Sequence, residues 1–166
     1  MELVDKLDNK RRFLNRIDER HNRIPNEYKQ SMHLWIMNKD GELLIQKRSK
    51  NKESYPDMWA ITSGSTAAGE STLETVIREC KEELGVDVSD VKYLCSFPNT
   101  YEYRSITYKT CDLFFTAVLK EGEEFKEQKS EVSGIVWKSV NSNLFTELAF
   151  ESANKALTKW TEEKSK

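Results

Sequence analysis

Short apolar segments bounded by turn residues recur along the chain, a pattern that predicts β-strands. The polar first 30 residues, with sparse apolar positions, predict an N-terminal strand or hairpin leading into the domain. Asn38–Gly41 predicts a hairpin turn, Lys47–Lys52 a basic loop and Pro98–Thr100 a connection between two strands. The predicted strands are Met32–Met37, Leu43–Gln46, Trp59–Thr62, Val91–Phe97, Thr107–Leu119 and Gly134–Val140.

One segment has the spacing of an amphipathic helix with clear signals at both ends. Ser71 and Glu74 form a capping box, so the helix is predicted to begin at Thr72 and to end at Gly85. Its predicted apolar face consists of Leu73, Val76, Ile77, Cys80 and Leu84. A second helix is predicted near the C-terminus from Phe150, Ala153, Leu157 and Trp160. This order of elements predicts a single α/β or α+β domain with a mixed sheet.

Three carboxylates share one flank of the first helix. At about 100° per residue, Glu79, Glu82 and Glu83 lie beside the apolar face, with Glu83 at its edge and Glu82 pointing nearly away. Arg78 lies on the other flank, where it can orient Glu82. Such close like charges repel, and a hard divalent cation such as Mg²⁺ or Mn²⁺ would offset the repulsion. The alternative is a solvated acidic helix with salt bridges.

The segment from Gly64 to Val86 has the pattern G-x5-E-x7-R-E-U-x-E-E-x-G-U, in which U is a bulky aliphatic residue. It resembles the signature of the Nudix hydrolases at all seven fixed positions, and it departs only at Cys80, a small hydrophobic residue in the first U position. A chance match in a chain of this length has a probability on the order of one in a million. Ser63 stands where relatives often carry a second glycine.

The resemblance implies an α/β/α sandwich with a mixed β-sheet. It implies one Nudix domain over residues 1–166, with residues 1–30 as an N-terminal extension and residues 64–86 as the signature loop and helix. The implied metal ligands are the carbonyl of Gly64 and the carboxylates of Glu79, Glu82, Glu83 and Glu131.

Outside the signature, Gly41–Arg48 and Tyr55–Trp59 resemble the branch of Nudix proteins that includes prenyl-diphosphate isomerases and their hydrolase relatives. In that branch, the positions of Arg48 and Lys52 contact diphosphate. An arginine fork and a lysine point charge both suit phosphate oxygens, whereas the alternative is a solvated basic turn.

Glu131 lies six residues before Trp137, where many Nudix hydrolases carry a carboxylate that binds metal or acts as general base. Acidic neighbours compete for this role: Glu123, Glu124 and Glu127. A set of aromatic residues could stack on a substrate base, although packing is the commoner role of such residues: Phe97, Tyr101, Tyr103 and Tyr108. His33, in a predicted strand, is expected to be structural.

The composition of the chain mainly argues against certain partners and locations. A net charge of −2 with 33% charged residues argues against a stable nucleic-acid partner or a membrane-surface protein. No apolar run has the length of a membrane span, and the N-terminus does not have the pattern of a signal peptide. Three cysteines, an odd number inside apolar patterns, indicate reduced thiols in the cytoplasm. We expect a monomer or homodimer with a small-molecule substrate.

The resemblance implies a Mg²⁺- or Mn²⁺-dependent hydrolase that cleaves the diphosphate bond of a nucleoside diphosphate linked to another moiety, X. The catalytic candidates are Glu79, Glu82, Glu83 and Glu131, and the substrate-binding candidates are Arg48, Lys52, Phe97, Tyr101 and Tyr103. One alternative is an isopentenyl-diphosphate isomerase. That family uses an essential cysteine just after the strand containing a tryptophan, and Thr62–Ala68 contains none. The other is a non-catalytic nucleotide-binding module, which usually loses the signature carboxylates, all present here.

Overall fold

The computed structural model describes residues 3–10, 12–19, 23–140, 148, 155–156, 158–160 and 162. Within these residues the α-helix α1 spans Thr72–Glu79, and a π-helical turn, Cys80–Leu84, continues it directly. The strands are β1 (Leu3–Leu7), β2 (Phe13–Glu19), β3 (Tyr28–Met37), β4 (Leu43–Arg48), β5 (Trp59–Ala60), β6 (Thr62–Ser65), β7 (Val88–Tyr103), β8 (Ile106–Leu119) and β9 (Val132–Lys138). In this part of the chain, none of the helices is both long enough and apolar enough to cross a membrane.

Strand β3 is the centre of a mixed sheet. It pairs in parallel with β8 and antiparallel with β1, β4 and β6. Strand β4 pairs antiparallel with β5 and β9, and β7 pairs antiparallel with β8. The predicted N-terminal hairpin is confirmed by the β1–β2 pair, which joins the sheet through β3.

Each face of β3 packs against helical residues. Because side chains alternate across a strand, Met32, Leu34 and Ile36 share one face, and Trp35 lies on the other. The first face packs with α1 and the π-helical turn through Val76, Cys80 and Leu84. On the second face, the helical residues Ala156 and Trp160 join the core around Trp35, and the two tryptophan rings lie 5.4 Å apart. This arrangement confirms the predicted α/β/α sandwich.

Of the residues that marked the predicted C-terminal helix, Phe150, Ala153 and Leu157 lie outside the described residues. Trp160 is helical. The predicted helix start at Thr72 is confirmed, since Ser71 Oγ accepts a hydrogen bond of 3.1 Å from the amide of Glu74. The predicted end is confirmed too, because Gly85 has a left-handed conformation with φ of 69°.

Three predictions made from the hydrophobic pattern were wrong. Pro98–Thr100 is not a connection, because β7 runs unbroken to Tyr103 and the chain turns at Arg104–Ser105. Proline is tolerated there because β7 pairs with β8 alone in the described sheet, so the missing amide breaks no second ladder. The predicted basic loop begins later, since β4 extends through Arg48.

The third wrong prediction concerns the apolar face of the signature helix, which is narrower than predicted. Leu73 and Ile77 are 51% and 52% exposed, whereas Val76, Cys80 and Leu84 are buried. The sheet covers only the central stripe of the helix.

Candidate active site

The strand before α1 places the backbone of Gly64 directly against the carboxylate of Glu79. Gly64 lies in β6, which pairs with β3 so that Gly64 is opposite Met32. A Cβ atom at Gly64 would overlap the Glu79 carboxylate, so any larger residue here would displace that side chain. Glycine is therefore required by the close approach of Glu79 to the strand, and the predicted pair of metal ligands is brought together.

Arg78 connects the loop and the helix by several hydrogen bonds. Its guanidinium donates to both carboxylate oxygens of Glu70 (2.7 and 3.0 Å), to Glu79 (3.0 Å), to Glu82 (3.2 Å) and to the carbonyl of Ser65 (3.1 Å). Hydrogen bonding from Arg78 lowers the pKa of Glu70 to about 2. The principal partner of Arg78 is thus Glu70, while its predicted contact with Glu82 is an additional one.

Glu79 and Glu83 form a buried pair of like charges. Their residues are 7% and 5% exposed, whereas the Glu82 side chain is 55% exposed. Burial, followed by the charge of Glu83, raises the pKa of Glu79 to about 8. Burial also raises the pKa of Glu83, whose carboxylate accepts a hydrogen bond of 3.2 Å from Gln46. Two buried carboxylates are costly unless a cation or a shared proton compensates their charge.

A divalent cation fits this pair. Mg²⁺ prefers oxygen ligands and commonly binds proteins through one or two carboxylates, with substrate phosphates and water completing its shell. Within the described ranges, no three side chains of His, Cys, Asp or Glu converge into a ready-made cage. Glu79, Glu83 and the backbone of Gly64 would therefore hold the ion incompletely and leave positions for phosphate oxygens.

Basic side chains line a cavity of about 120 Å³ beside Gly64. Arg48 is only 9% exposed, and its guanidinium donates to the carbonyl of Ser54 (3.0 Å) and to its hydroxyl (3.3 Å). Lys52 lines the same cavity and forms an ion pair with Glu131. The structure thus brings Glu131 to Lys52, although the two were predicted from separate segments of the chain.

The loop that carries Glu131 is attached to the signature helix. The amide of Lys126 donates a 2.8 Å hydrogen bond to the carbonyl of Leu84, and the amide of Gln128 donates one of the same length to the carbonyl of Glu83. The amide of Ser49 donates to the carbonyl of Glu131 at 3.0 Å. Glu131 is consequently held between the end of β4 and the signature helix, whereas the competing Glu127 forms an ion pair with Lys129 at 3.8 Å.

A family model described as NUDIX domain matches residues 27–161. The chain belongs to the Nudix family. The predicted family is confirmed by this match.

Individual relatives support the same fold. The chain is 32% identical over 117 residues to isopentenyl-diphosphate Delta-isomerase of Salmonella heidelberg (strain SL476), an alignment covering 64% of this chain and 63% of the relative. The DR0079 protein of Deinococcus radiodurans has a TM-score of 0.73 at 18% identity, covering 95% of this chain and 98% of the other. An Ap4A hydrolase of C. elegans has a TM-score of 0.62 at 20% identity, covering 82% and 98%.

The aromatic candidates of this Nudix chain divide into two groups. Tyr101 and Tyr108 line the cavity, and their rings stack with centroids 4.8 Å apart. Because Tyr101 occupies one face of Tyr108, the guanidinium of Arg23, 4.6 Å from the ring centroid, covers the other. Phe97 stacks on Phe114 in the second core, at 5.5 Å.

The ring of Tyr103 lies 4.6 Å from that of Tyr55. Neither Phe97 nor Tyr103 belongs to the described lining of the cavity. A substrate base would therefore meet Tyr101 and Tyr108 before the other predicted aromatic residues.

The cavity has a polar floor that was not predicted from the sequence, formed by Ser31 and His33 of β3 and Thr110 and Asp112 of β8. Each pair occupies alternate positions on its strand, and the parallel register sets Ser31 opposite Asp112. The available signal was a pair of polar residues two positions apart on each strand, which places both members of a pair on the same face of the sheet. His33 was expected to be structural; it stacks on Phe114 at 4.6 Å and also lines the cavity.

Proposed function

We propose that this protein is a divalent-metal-dependent hydrolase that cleaves the diphosphate bond of a nucleoside diphosphate linked to another moiety, X. The observation that carries the proposal is the buried pair Glu79 and Glu83 against the backbone of Gly64, beside a cavity lined by Arg48 and Lys52. Acidic ligands for a cation thus adjoin cationic ligands for phosphate, as hydrolysis of a diphosphate requires.

Glu79, Glu83 and the Gly64 carbonyl would hold Mg²⁺ or Mn²⁺, with Glu82 at the exposed edge. When bound, the ion polarises phosphoryl oxygens and lowers the pKa of a coordinated water. Arg48 and Lys52 would bind the remaining phosphate oxygens and fix the diphosphate in line for attack.

Glu131 is the proposed general base. Lys52 forms its ion pair with Glu131, so a diphosphate that draws the Lys52 ammonium to its own oxygens would free the carboxylate to accept a proton. The water oxygen bonds to one phosphorus, its proton passes to Glu131, and the bond from that phosphorus to the bridging oxygen breaks. The bridging oxygen leaves on the other phosphate.

The Ap4A hydrolase among the structural neighbours acts, by its name, on a substrate of the proposed kind, although its low identity supports the fold alone. The three free cysteines support a reducing, cytoplasmic location.

Isomerisation of isopentenyl diphosphate is the second candidate, favoured by the 32% identity to isomerases. The chain spans 63% of the length of that relative. Two observations speak against it. Cys80 packs in the core, where burial raises its thiol pKa to about 12, and no cysteine belongs to the described lining of the cavity. The cavity floor is also polar, which does not suit a prenyl chain.

A hydrolysis screen separates these candidates if products are identified by mass and, for isopentenyl diphosphate, by proton NMR as well, because its isomer has the same mass. Nucleotide sugars, dinucleotides, nucleoside triphosphates and prenyl diphosphates would be incubated with Mg²⁺, with and without excess EDTA, and Glu83→Gln would serve as the inactive control. We expect EDTA-sensitive cleavage of at least one nucleoside diphosphate derivative. Conversion of isopentenyl diphosphate to its isomer, without release of phosphate, would overturn the proposal in favour of the isomerase, and hydrolysis undiminished by EDTA would refute the metal mechanism.

A further inference from the structure

The floor of the cavity is more polar and more buried than binding of a diphosphate alone requires. His33, Thr110 and Asp112 are 6%, 4% and 2% exposed, and all three line the cavity that contains Gly64 and Arg48. Buried polar groups in strands are rare unless they are hydrogen-bonded or serve a ligand.

Only part of this polar floor is satisfied within the protein. Asp112 accepts a hydrogen bond of 3.1 Å from the side-chain amide of Asn99, and its other oxygen lies 3.3 Å from His33 Nε2. The hydroxyl of Thr110 is buried and has no hydrogen-bond partner among the described residues. A buried hydroxyl without a partner, at the base of a cavity, indicates that a polar ligand or an ordered water completes its hydrogen bonding.

The aromatic wall favours hydrogen bonding over stacking as the means of recognition. Tyr108 is covered on one face by Tyr101 and on the other by Arg23. A flat base therefore finds no open face on Tyr108. A hydroxyl group, in contrast, is both donor and acceptor, so it can donate to the Asp112 carboxylate and accept from the Thr110 hydroxyl.

We propose that Thr110 and Asp112, with His33, form a specificity subsite for hydroxyl groups of X, so that the substrates are nucleoside diphosphates linked to a sugar or another polyol. This inference rests on the proposed function, because it assumes that the diphosphate lies against Gly64 and Arg48. The parallel pairing of β3 and β8 builds the subsite at a fixed distance from the signature loop.

The test compares two substrates that differ in hydroxyl groups: ADP-glucose and the β-ethyl ester of ADP. Thr110→Val keeps the shape of the side chain and its preference for β-strands but removes the hydroxyl. We expect it to lower kcat/KM for ADP-glucose about 10-fold, mainly through KM, and to leave the ethyl ester unchanged. Thr110→Ser, which keeps the hydroxyl, should retain the preference, and Thr107→Val, at an exposed position of the same strand, should match the wild type.

Equal loss on both substrates, or no loss on either, would overturn the subsite. If the wild type hydrolyses neither substrate, the wider hydrolysis screen decides the proposed function, and calorimetric binding of ADP-glucose to the intact protein decides the inference independently. Weaker binding to Thr110→Val than to the wild type would support it; equal binding, or none to the wild type, would overturn it. Thr110→Ala replaces Thr110→Val if the latter does not fold.

Discussion

The signature segment 64–86 and the polar floor of the cavity both bury polar side chains, but they are built in different ways. In the signature, Glu70, Arg78 and Glu79 interact within one loop and one helix. On the floor, His33 and Asp112 meet only because β3 and β8 pair in parallel across a long separation in the chain. The difference teaches that the contacts of Arg78 with Glu70 and Glu79 depend on local geometry, whereas the proposed selectivity depends on the packing of the sheet.

The largest expected effect separates two acids of the signature segment. Glu83→Gln should lower kcat by about 10³-fold or more, because it removes a buried ligand of the proposed metal site. Glu70→Gln should act mainly on stability, since Glu70 is the principal partner of Arg78. Steady-state kinetics and thermal melting of both variants provide the measurement. Equal losses of kcat in two folded variants would contradict this division of roles.

The next effect concerns Glu131, which the fold adds to the site from outside the signature. Glu131→Gln should cut kcat by roughly 10²–10⁴-fold, the usual contribution of a general base. Affinity for Mg²⁺ without substrate should barely change, which calorimetry can measure. Glu127→Gln is the matched control in the same loop and should resemble the wild type. If Glu127→Gln is damaging and Glu131→Gln is silent, the base lies elsewhere in this loop.

A smaller effect is expected at Arg48, on the wall of the cavity. Arg48→Ala should raise KM for a diphosphate substrate about 10-fold and lower kcat less, because a phosphate contact acts in the ground state and the transition state alike. Lys50→Ala removes an exposed charge from the adjacent turn and should leave KM unchanged. An unaltered KM in Arg48→Ala would reduce its role to the hydrogen bonds with Ser54.

The last prediction sharpens the contrast inside the signature itself and concerns stability against pH in metal-free protein. Glu70 has a folded-state pKa of about 2, below its ordinary value of 4.5, so its stabilisation is present above about pH 4.5 and is lost as pH falls towards 2. Glu79 has a raised pKa of about 8, so the folded state retains a proton that the unfolded state releases. Its stabilisation is full below about pH 4.5 and is lost as pH rises towards 8.

Thermal melting of EDTA-treated protein across this range provides the measurement. Glu79→Gln should weaken the dependence of Tm on pH on the alkaline side. Glu70→Gln should weaken it on the acidic side. Adding Mg²⁺ near pH 8 at 100 times its Kd should raise the free energy of unfolding of the wild type by about 2.7 kcal/mol. Its Tm should rise accordingly. A Tm that is unaffected by Mg²⁺ at that pH would count against Glu79 and Glu83 as the metal site.

Much of the architecture was predictable because its signals are local. The capping box placed the start of α1 at Thr72, and Gly85 placed the end of the helical segment. The segment following Gly41 was correctly predicted as a strand returning from a turn. The errors arose where packing overrides the local signal: Pro98 lies inside β7 because only one side of that strand is paired, and Ile77 is exposed because the sheet covers a narrow stripe of the helix.

The sequence by itself determined the family, the helix ends and the spacing of the acidic residues, because these depend on interactions within a few residues of chain. The tertiary structure alone decided which of those acids are buried together, since the approach of Glu79 to Gly64 requires β6 to pair with β3. It alone brought Lys52 to Glu131 and built the floor around Asp112. Contacts of this kind join residues far apart in the chain, and they follow from strand pairing that no local pattern encodes.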